Sequence, residues 1–347
     1  MRVDRRPAAR RLRALRAPRR KQAVVLVYHR IARASRDPQL LAVSPERFDE
    51  HLRTIAADFE LLPLRDLAEA AVEGRLPQRA VAVTFDDGYA DNLLVAKPLL
   101  ERAGVPATVF VTSSNVGDGS PFWWDELERL LLSPGRVPSL LELEIGGEPA
   151  RWELGPDAEY SAGDAAERVA WTVLDQHDPG PRQQVYRELC GRLRKLEEGE
   201  RAATLERLRA LVRLDRSAER DPPRPLALDE LKRLGEDGLV EIGSHTKTHP
   251  VLSRLPPEAS REEIHGGKRS LEGLLGWPVS AFAYPYGGTS DFDETTVSIV
   301  RDAGFETACS TIPRRVGRDT DPLRIPRLVV RDWTGPELSG RLAAVEA

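Results

Sequence analysis

Two short segments bring together residue types that can handle a metal ion and water. Thr84-Phe85-Asp86-Asp87-Gly88-Tyr89 sets two adjacent carboxylates where an apolar run, Ala80 to Phe85, ends. Neighbouring carboxylates repel one another unless a cation or a donor relieves them. A solvated turn is the plain alternative, since Asp caps helices and Gly turns chains. Gly243-Ser244-His245-Thr246-Lys247-Thr248-His249-Pro250 also follows an apolar run and holds two of the six histidines. Spaced four apart, they share one face if the segment turns helically; a pair of surface histidines is the alternative. Two histidines and one carboxylate make a common catalytic shell for Zn²⁺ or a similar ion, with positions left open for water. In Phe282-Ala283-Tyr284-Pro285-Tyr286-Gly287-Gly288 a strand runs into a proline-glycine turn. Backbone N–H groups of such a turn can serve an oxyanion, or its tyrosines can simply pack on a rim.

Parallel α/β elements are needed to bring these segments to one place. Ala23 to Tyr28, Ala80 to Phe85 and Ala107 to Val111 are continuous β-branched and apolar runs, as expected of strands buried on both faces. Helices are expected between them: from Pro45 with Ser44 as N-cap, from Arg65 to Glu73 closed by Gly74, and from Leu93 to Arg102. From about 120 to 225 the rhythm changes to charged helical stretches, with a small hairpin around Leu141 to Trp152. Helices are expected there at Trp124 to Leu132, Ala165 to Leu174, Arg182 to Leu196 and Ala202 to Leu214, before the Asp221 to Pro225 breaker. The α/β rhythm then returns, with strands at 240–243, 280–284, 307–311 and 327–330. Short strand-helix-strand connections imply right-handed parallel crossovers. The fold class expected is a distorted (β/α) barrel of about seven parallel strands interrupted by a mostly helical insertion. Its reactive segments lie at the carboxyl ends of strands, where α/β folds assemble sites.

Composition narrows the classes. The 347 residues are 41% hydrophobic and 31% charged, enough for a large core. Two distant cysteines, Cys190 and Cys309, speak against a disulfide scaffold or a thiolate zinc site and suit a reducing compartment. Neither G-x-G-x-x-G nor G-x-x-x-x-G-K-[ST] occurs, which disfavours nucleotide binding, and no nucleic-acid partner is expected. Net charge is −4, yet residues 1–21 alone carry +9. Such a tail is either simply solvated or an arm toward anionic lipid headgroups. The first apolar run after it is too short for a secretory signal. The expectation is a cytoplasmic protein, peripheral to the inner membrane face, with residues 22–347 as one catalytic domain.

Thr84-Phe85-Asp86-Asp87-Gly88, then Ser244-His245 with His249, then Tyr284-Pro285-Tyr286-Gly287 together resemble the polysaccharide deacetylase family, also called carbohydrate esterase family 4 or the NodB-homology domain. The resemblance covers roughly residues 23–119 and 226–335. It implies a metal-dependent N-deacetylase acting on N-acetylhexosamine units of a glycan, a glycan precursor or a glycoconjugate. It also implies Asp86 as general base, Asp87, His245 and His249 as ligands of one divalent ion (zinc first, with cobalt, nickel or iron also suited), and the Tyr286 N–H at the oxyanion. Two positions depart from the family's pattern. Ala283 stands where many members carry an arginine that orients the catalytic aspartate. No histidine follows His265, so the usual C-terminal acid has no counterpart. Arg327 is a stand-in for the first, with a surface salt bridge as its alternative. His29, in Val27-Tyr28-His29-Arg30, is the candidate acid; it resembles the early Tyr-His of deacetylases that act on β-1,6-linked N-acetylglucosamine. His51, His177 and His265 are expected to be solvated. Tyr284, Pro285, Arg327, Asp332 and Trp333 are candidate substrate contacts, and Trp123 and Trp124 candidate cleft walls. An O-deacetylase, a deformylase and a carbohydrate-binding protein are the competing readings.

Overall fold

The computed structural model describes residues 21–214 and 223–345. The basic stretch, except Lys21, and part of the breaker before Pro225 lie outside the described residues. The main sheet comprises β1 (Gln22–Tyr28), β2 (Glu60–Leu61), β3 (Arg79–Phe85), β4 (Ala107–Val111), β5 (Val240–Ser244), β6 (Ala281–Ala283), β7 (Thr307–Cys309) and β8 (Leu328–Val329). Seven of these form a curled, all-parallel half-barrel in the order β7-β6-β5-β4-β3-β1-β8, with β2 alongside β3. The expected barrel is therefore present. Its seam is closed by a single extended segment. Ile325 bridges Cys309 at one edge, and three residues later Leu328 pairs with Leu26 at the other.

Side chains alternate along each strand, which divides the interior into two layers. Val24, Leu26, Tyr28, Val81, Val83 and Phe85 point to the helix-packed core. Ala23, Val25, Ala80, Ala82, Ala283 and Cys309 point the other way, with Phe110 as the one large ring among them. This second layer is built largely of small residues. It leaves room for the Arg327 side chain, whose Cζ lies 5.3 Å from the Phe110 ring centre.

The insertion has its own core, with Leu127, Leu131, Leu141, Tyr186, Leu189 and Leu208 among its members. Helices Trp123–Leu132, Pro181–Leu193 and Glu198–Leu211 enclose it with the hairpin Leu140–Ile145/Glu148–Glu153. The helix expected at Ala165 to Leu174 is shorter and starts earlier, at Ala162–Glu167, because Ser161 and Asp164 form a capping box ahead of it. Its expected second half turns instead, with the Asp175 carboxylate accepting from Thr172 N and Oγ1. Ser44 does precede helix Pro45–Asp58, but its hydroxyl donates to Asp332 and caps nothing. Among the described residues no helix is long and apolar enough to cross a membrane.

Candidate active site

Asp86 and Asp87 are neighbours in sequence and diverge in space for a backbone reason. The Asp86 N–H donates to Tyr28 O at 2.9 Å, continuing the β3–β1 ladder by one residue. Strand alternation then sends the Asp86 side chain inward, as for Ala82 and Thr84. Asp87 leaves the strand with φ 75°, in the left-handed region, and Gly88 follows at φ 83°. A side chain at Gly88 would strike Val111, 3.0 Å from where its Cβ would sit.

Inside the barrel Asp86 meets Arg327. The guanidinium grips it at both oxygens, 2.7 Å each, and also donates to Ser310 O at 2.9 Å and Thr84 Oγ1 at 3.1 Å. Burial alone would raise the Asp86 pKa; Arg327, with His245 and His29, outweighs it and holds the carboxyl below its ordinary value. Arg327 is fully buried. It is neither a surface arginine nor a residue of the cleft, so a direct substrate contact is ruled out by its position.

Asp87 meets the histidines. Its Oδ1 lies 3.7 Å from His245 Nε2 and 3.5 Å from His249 Nε2. One ligand atom from each residue falls within 4.8 Å of the others, and all three residues are buried. The two rings do not converge through a helical turn. His245 continues β5, with its N–H on Val111 O, and Thr246 and His249 both take left-handed φ, 66° and 60°. His245 Nδ1 donates to Ala283 O at 2.8 Å, which leaves the Nε2 lone pair facing Asp87. Burial holds both imidazoles below their ordinary pKa, so both are neutral as ligands must be. Burial, then Asp86 and Asp125, push Asp87 well above the usual carboxylate range. A buried carboxylate with two lone-pair nitrogens beside it fits a divalent cation by donor set, charge and spacing.

These groups floor a cavity of about 280 Å³. Its barrel side carries His29, Asp86, Asp87, His245, His249 and Tyr286; its other side is the insertion, with Trp123, Trp124, Val173, Arg187, Cys190 and Arg194. The insertion is therefore a wall of the cleft. The sequence singled out the two tryptophans but not the other four, because Arg187, Cys190 and Arg194 read as ordinary members of an amphipathic helix. His29 lines the cavity, and burial pushes its pKa down to about 4. Tyr286 (φ 62°) is fixed at its carbonyl by the Thr311 hydroxyl at 2.6 Å, while Gly287 lies so close to Thr311 that a Cβ there would sit 2.7 Å from its nitrogen.

Four other expected substrate contacts are corrected. Tyr284 is fully buried, stacked on Phe292 at 4.0 Å and donating to Leu323 O. Pro285 is buried behind Tyr286 and absent from the cavity wall. Asp332 accepts from Ser44 N and Oγ, tying β8 to helix Pro45–Asp58. Trp333 packs on the main core, with Arg341 over its ring. His51 is not solvated either: it is fully buried, with Nε2 on Trp333 O at 2.7 Å and Nδ1 facing Tyr28 Oη at 3.3 Å.

Fold and site together define a NodB-type parallel half-barrel with a histidine-carboxylate centre at its rim. The polysaccharide deacetylase family model matches residues 73–137 and 213–308, leaving out most of the insertion. Over those two stretches the chain is similar to the polysaccharide deacetylase family. Bacillus subtilis YxkH is 28% identical over 95 residues, 27% of this chain and 33% of the relative. A Staphylococcus aureus poly-β-1,6-N-acetyl-D-glucosamine N-deacetylase is 27% identical over 109 residues, 28% of this chain and 38% of the relative. The chain thus spans little more than a third of the curated relatives it matches. In fold it is similar to the Streptococcus pyogenes deacetylase PplD (TM-score 0.57, 17% identity, 93% of this chain and 99% of that one). It is also similar to IcaB from Ammonifex degensii (TM-score 0.56, 20% identity, 93% and 98%).

Proposed function

We propose that the protein is a metal-dependent hydrolase that removes the N-acetyl group from N-acetylhexosamine units of a glycan or glycan precursor. One observation carries the reading. An ionised carboxylate, Asp86, is held by Arg327 directly beside a buried Asp87–His245–His249 donor set on the floor of one cavity. A binding protein has no use for that pairing. The matched relative named as an N-deacetylase favours the amide over an ester.

Asp87, His245 and His249 would hold a divalent ion, which would supply Lewis acidity toward water and the amide carbonyl. Asp86 is the base that takes a proton from the attacking water. Its depressed pKa keeps it ionised, and Arg327 fixes both its oxygens so that it cannot turn toward Asp87. The backbone N–H of Tyr286, in a loop anchored by Thr311, is the donor assigned to the developing oxyanion. His29, uncharged at rest, receives the proton that Asp86 collects and passes it to the departing amine. Its low pKa makes the charged form a ready donor. The products are acetate and a free amino sugar.

Acetate release from polymeric, lipid-linked and monomeric N-acetyl sugars tests the reading, with Asp86→Asn as the inactive control. No acetate from any of the three, or equal release by Asp86→Asn, sinks it. Preferential release from O-acetyl sugars moves the assignment to an esterase. Turnover unchanged in His29→Ala removes His29 from the mechanism.

A further inference from the structure

The two histidines of the triad are oriented by different means. His245 has a hydrogen bond at Nδ1, from its own barrel, that fixes ring and tautomer. His249 has no such bond: its Nδ1 is buried without a hydrogen-bond partner among the described residues. It is also the histidine whose backbone sits at φ 60°, a conformation that costs about 1 kcal/mol or more and persists only where the surroundings impose it.

The surroundings that impose it come from the barrel and the insertion together. The His249 ring contacts Trp124 at 5.0 Å, Tyr286 at 4.7 Å and His245 at 4.8 Å between centres. Trp124 is itself locked. Its Nε1 donates to Tyr89 Oη at 2.7 Å, and that hydroxyl donates to Asp125 at 2.8 Å. Behind Tyr286 stands Arg194, with Cζ 4.1 Å from the ring centre. The backbone just before His249 is held as well. Arg201, 1% exposed, donates from Nη2 to Thr248 O at 2.9 Å and lies over the Trp123 ring. From the barrel side, Glu263 accepts from Lys247 N, Thr248 N and Thr248 Oγ1.

We propose that the insertion residues Trp124 and Arg201 position His249, and that the insertion thereby sets the affinity of the Asp87–His245–His249 centre for its divalent ion. Both are positioning residues: Trp124 acts through the imidazole ring, Arg201 through the loop carbonyl. The inference rests on the reading of that triad as a metal centre. Its physical basis is that a ligand without a hydrogen-bonded second nitrogen keeps its direction only while its ring is packed and its loop is pinned. Outer partners of this kind alter metal affinity by roughly 10–100-fold when removed.

The test uses the full chain, stripped of metal, with Zn²⁺ affinity read by competition against a chromophoric chelator and Co²⁺ coordination read from its visible absorption. Trp124→Phe keeps an aromatic ring but loses the donor to Tyr89, Arg201→Met removes the tie to Thr248, and Arg201→Lys retains a donor. Trp124→Phe and Arg201→Met are expected to bind Zn²⁺ roughly tenfold more weakly and to shift the Co²⁺ bands. Arg201→Lys is expected to recover most of the loss. Wild-type affinity and spectrum in folded Trp124→Phe and Arg201→Met would overturn the proposal. Should Arg201→Met fail to fold, Trp124→Phe decides by the same two readings. A wild-type protein that binds neither ion would refute the metal centre itself, a failure distinct from that of the positioning residues.

Discussion

Arg327 in the barrel and Arg182 in the insertion are both completely buried, and they serve different ends. Arg182, in the insertion, donates only to carbonyls: Leu131 O at 3.1 Å, Gly135 O at 2.9 Å, Asp157 O at 2.6 Å and Ala158 O at 3.0 Å. Burial pushes its pKa down to about 10, with Tyr160, Asp157 and Asp164 offsetting it only in part. Arg327, in the barrel, spends its strongest contacts on the Asp86 carboxylate; burial opposes its charge, and Asp86 more than restores it. The first arginine gathers loose chain ends into a wall. The second keeps a carboxylate charged where charge is needed. Of these two buried cations, only the one whose counter-charge faces the cavity bears on the reacting groups directly.

The contrast between the two regions can be tested in order of effect. Asp87→Ala or His245→Ala, at the barrel rim, is expected to abolish stoichiometric divalent metal by elemental analysis and turnover with it. Arg327→Met should lower turnover by at least about 10²-fold and destabilise the fold by roughly 3–5 kcal/mol, because it strands a buried charge. Arg182→Met should also destabilise in urea titration, by about 3 kcal/mol for the carbonyls left unpaired. The folded fraction should turn over substrate at nearly the wild-type rate. Equal turnover losses in the two arginine variants would erase the distinction.

Acid and alkali should separate the regions next. In the barrel, His29 is held at about 4 against an ordinary 6.5, and His51, His245 and His249 are shifted in the same direction. The unfolded chain then binds more protons, so metal-free protein loses stability as pH falls from about 6.5 toward 4. In the insertion, burial pushes Asp125 from 3.8 up to about 8. The folded chain there binds more protons, and stability drains away as pH rises through that window. Melting temperature against pH should carry both contributions, and Asp125→Asn should reduce the loss of stability with rising pH, leaving the part due to Asp87. The smallest effects are expected at exposed ion pairs: Arg33→Ala, facing Glu46 on the barrel, and Arg136→Ala, facing Glu159 on the insertion, should each change stability by no more than about 0.5 kcal/mol.

Much of the barrel was legible because its strands are unbroken β-branched runs, and the triad because Asp-Asp-Gly and the paired histidines stand at strand ends. What escaped notice was determined by distance and burial. The partnership of Arg327 with Asp86 spans 241 positions, and only the alanine at 283 pointed to it as a replacement, since no local pattern does. Tyr284 and Trp333 looked like sugar platforms, yet an aromatic ring turned into a core has the same letter as one turned into a cleft. The histidine spacing suggested a helical turn, whereas left-handed residues at Thr246 and His249 bring the rings together. Cys190 and Arg194 reach the cavity only because the insertion folds back over the rim.

The seam between Ile325 and Leu328 bears on how the molecule is made. It closes the ring by pairing Leu328 with Leu26, residues about 300 positions apart. Contacts of such long range are entropically late events in folding. A chain emerging during synthesis can place Asp87, His245 and His249 before Arg327 exists to neutralise Asp86. Until Arg327 is in place Asp86 lacks its counter-charge, and burying a carboxylate without one is costly. Completion of the base and closure of the barrel thus depend on one and the same short segment, Ile325 to Leu328.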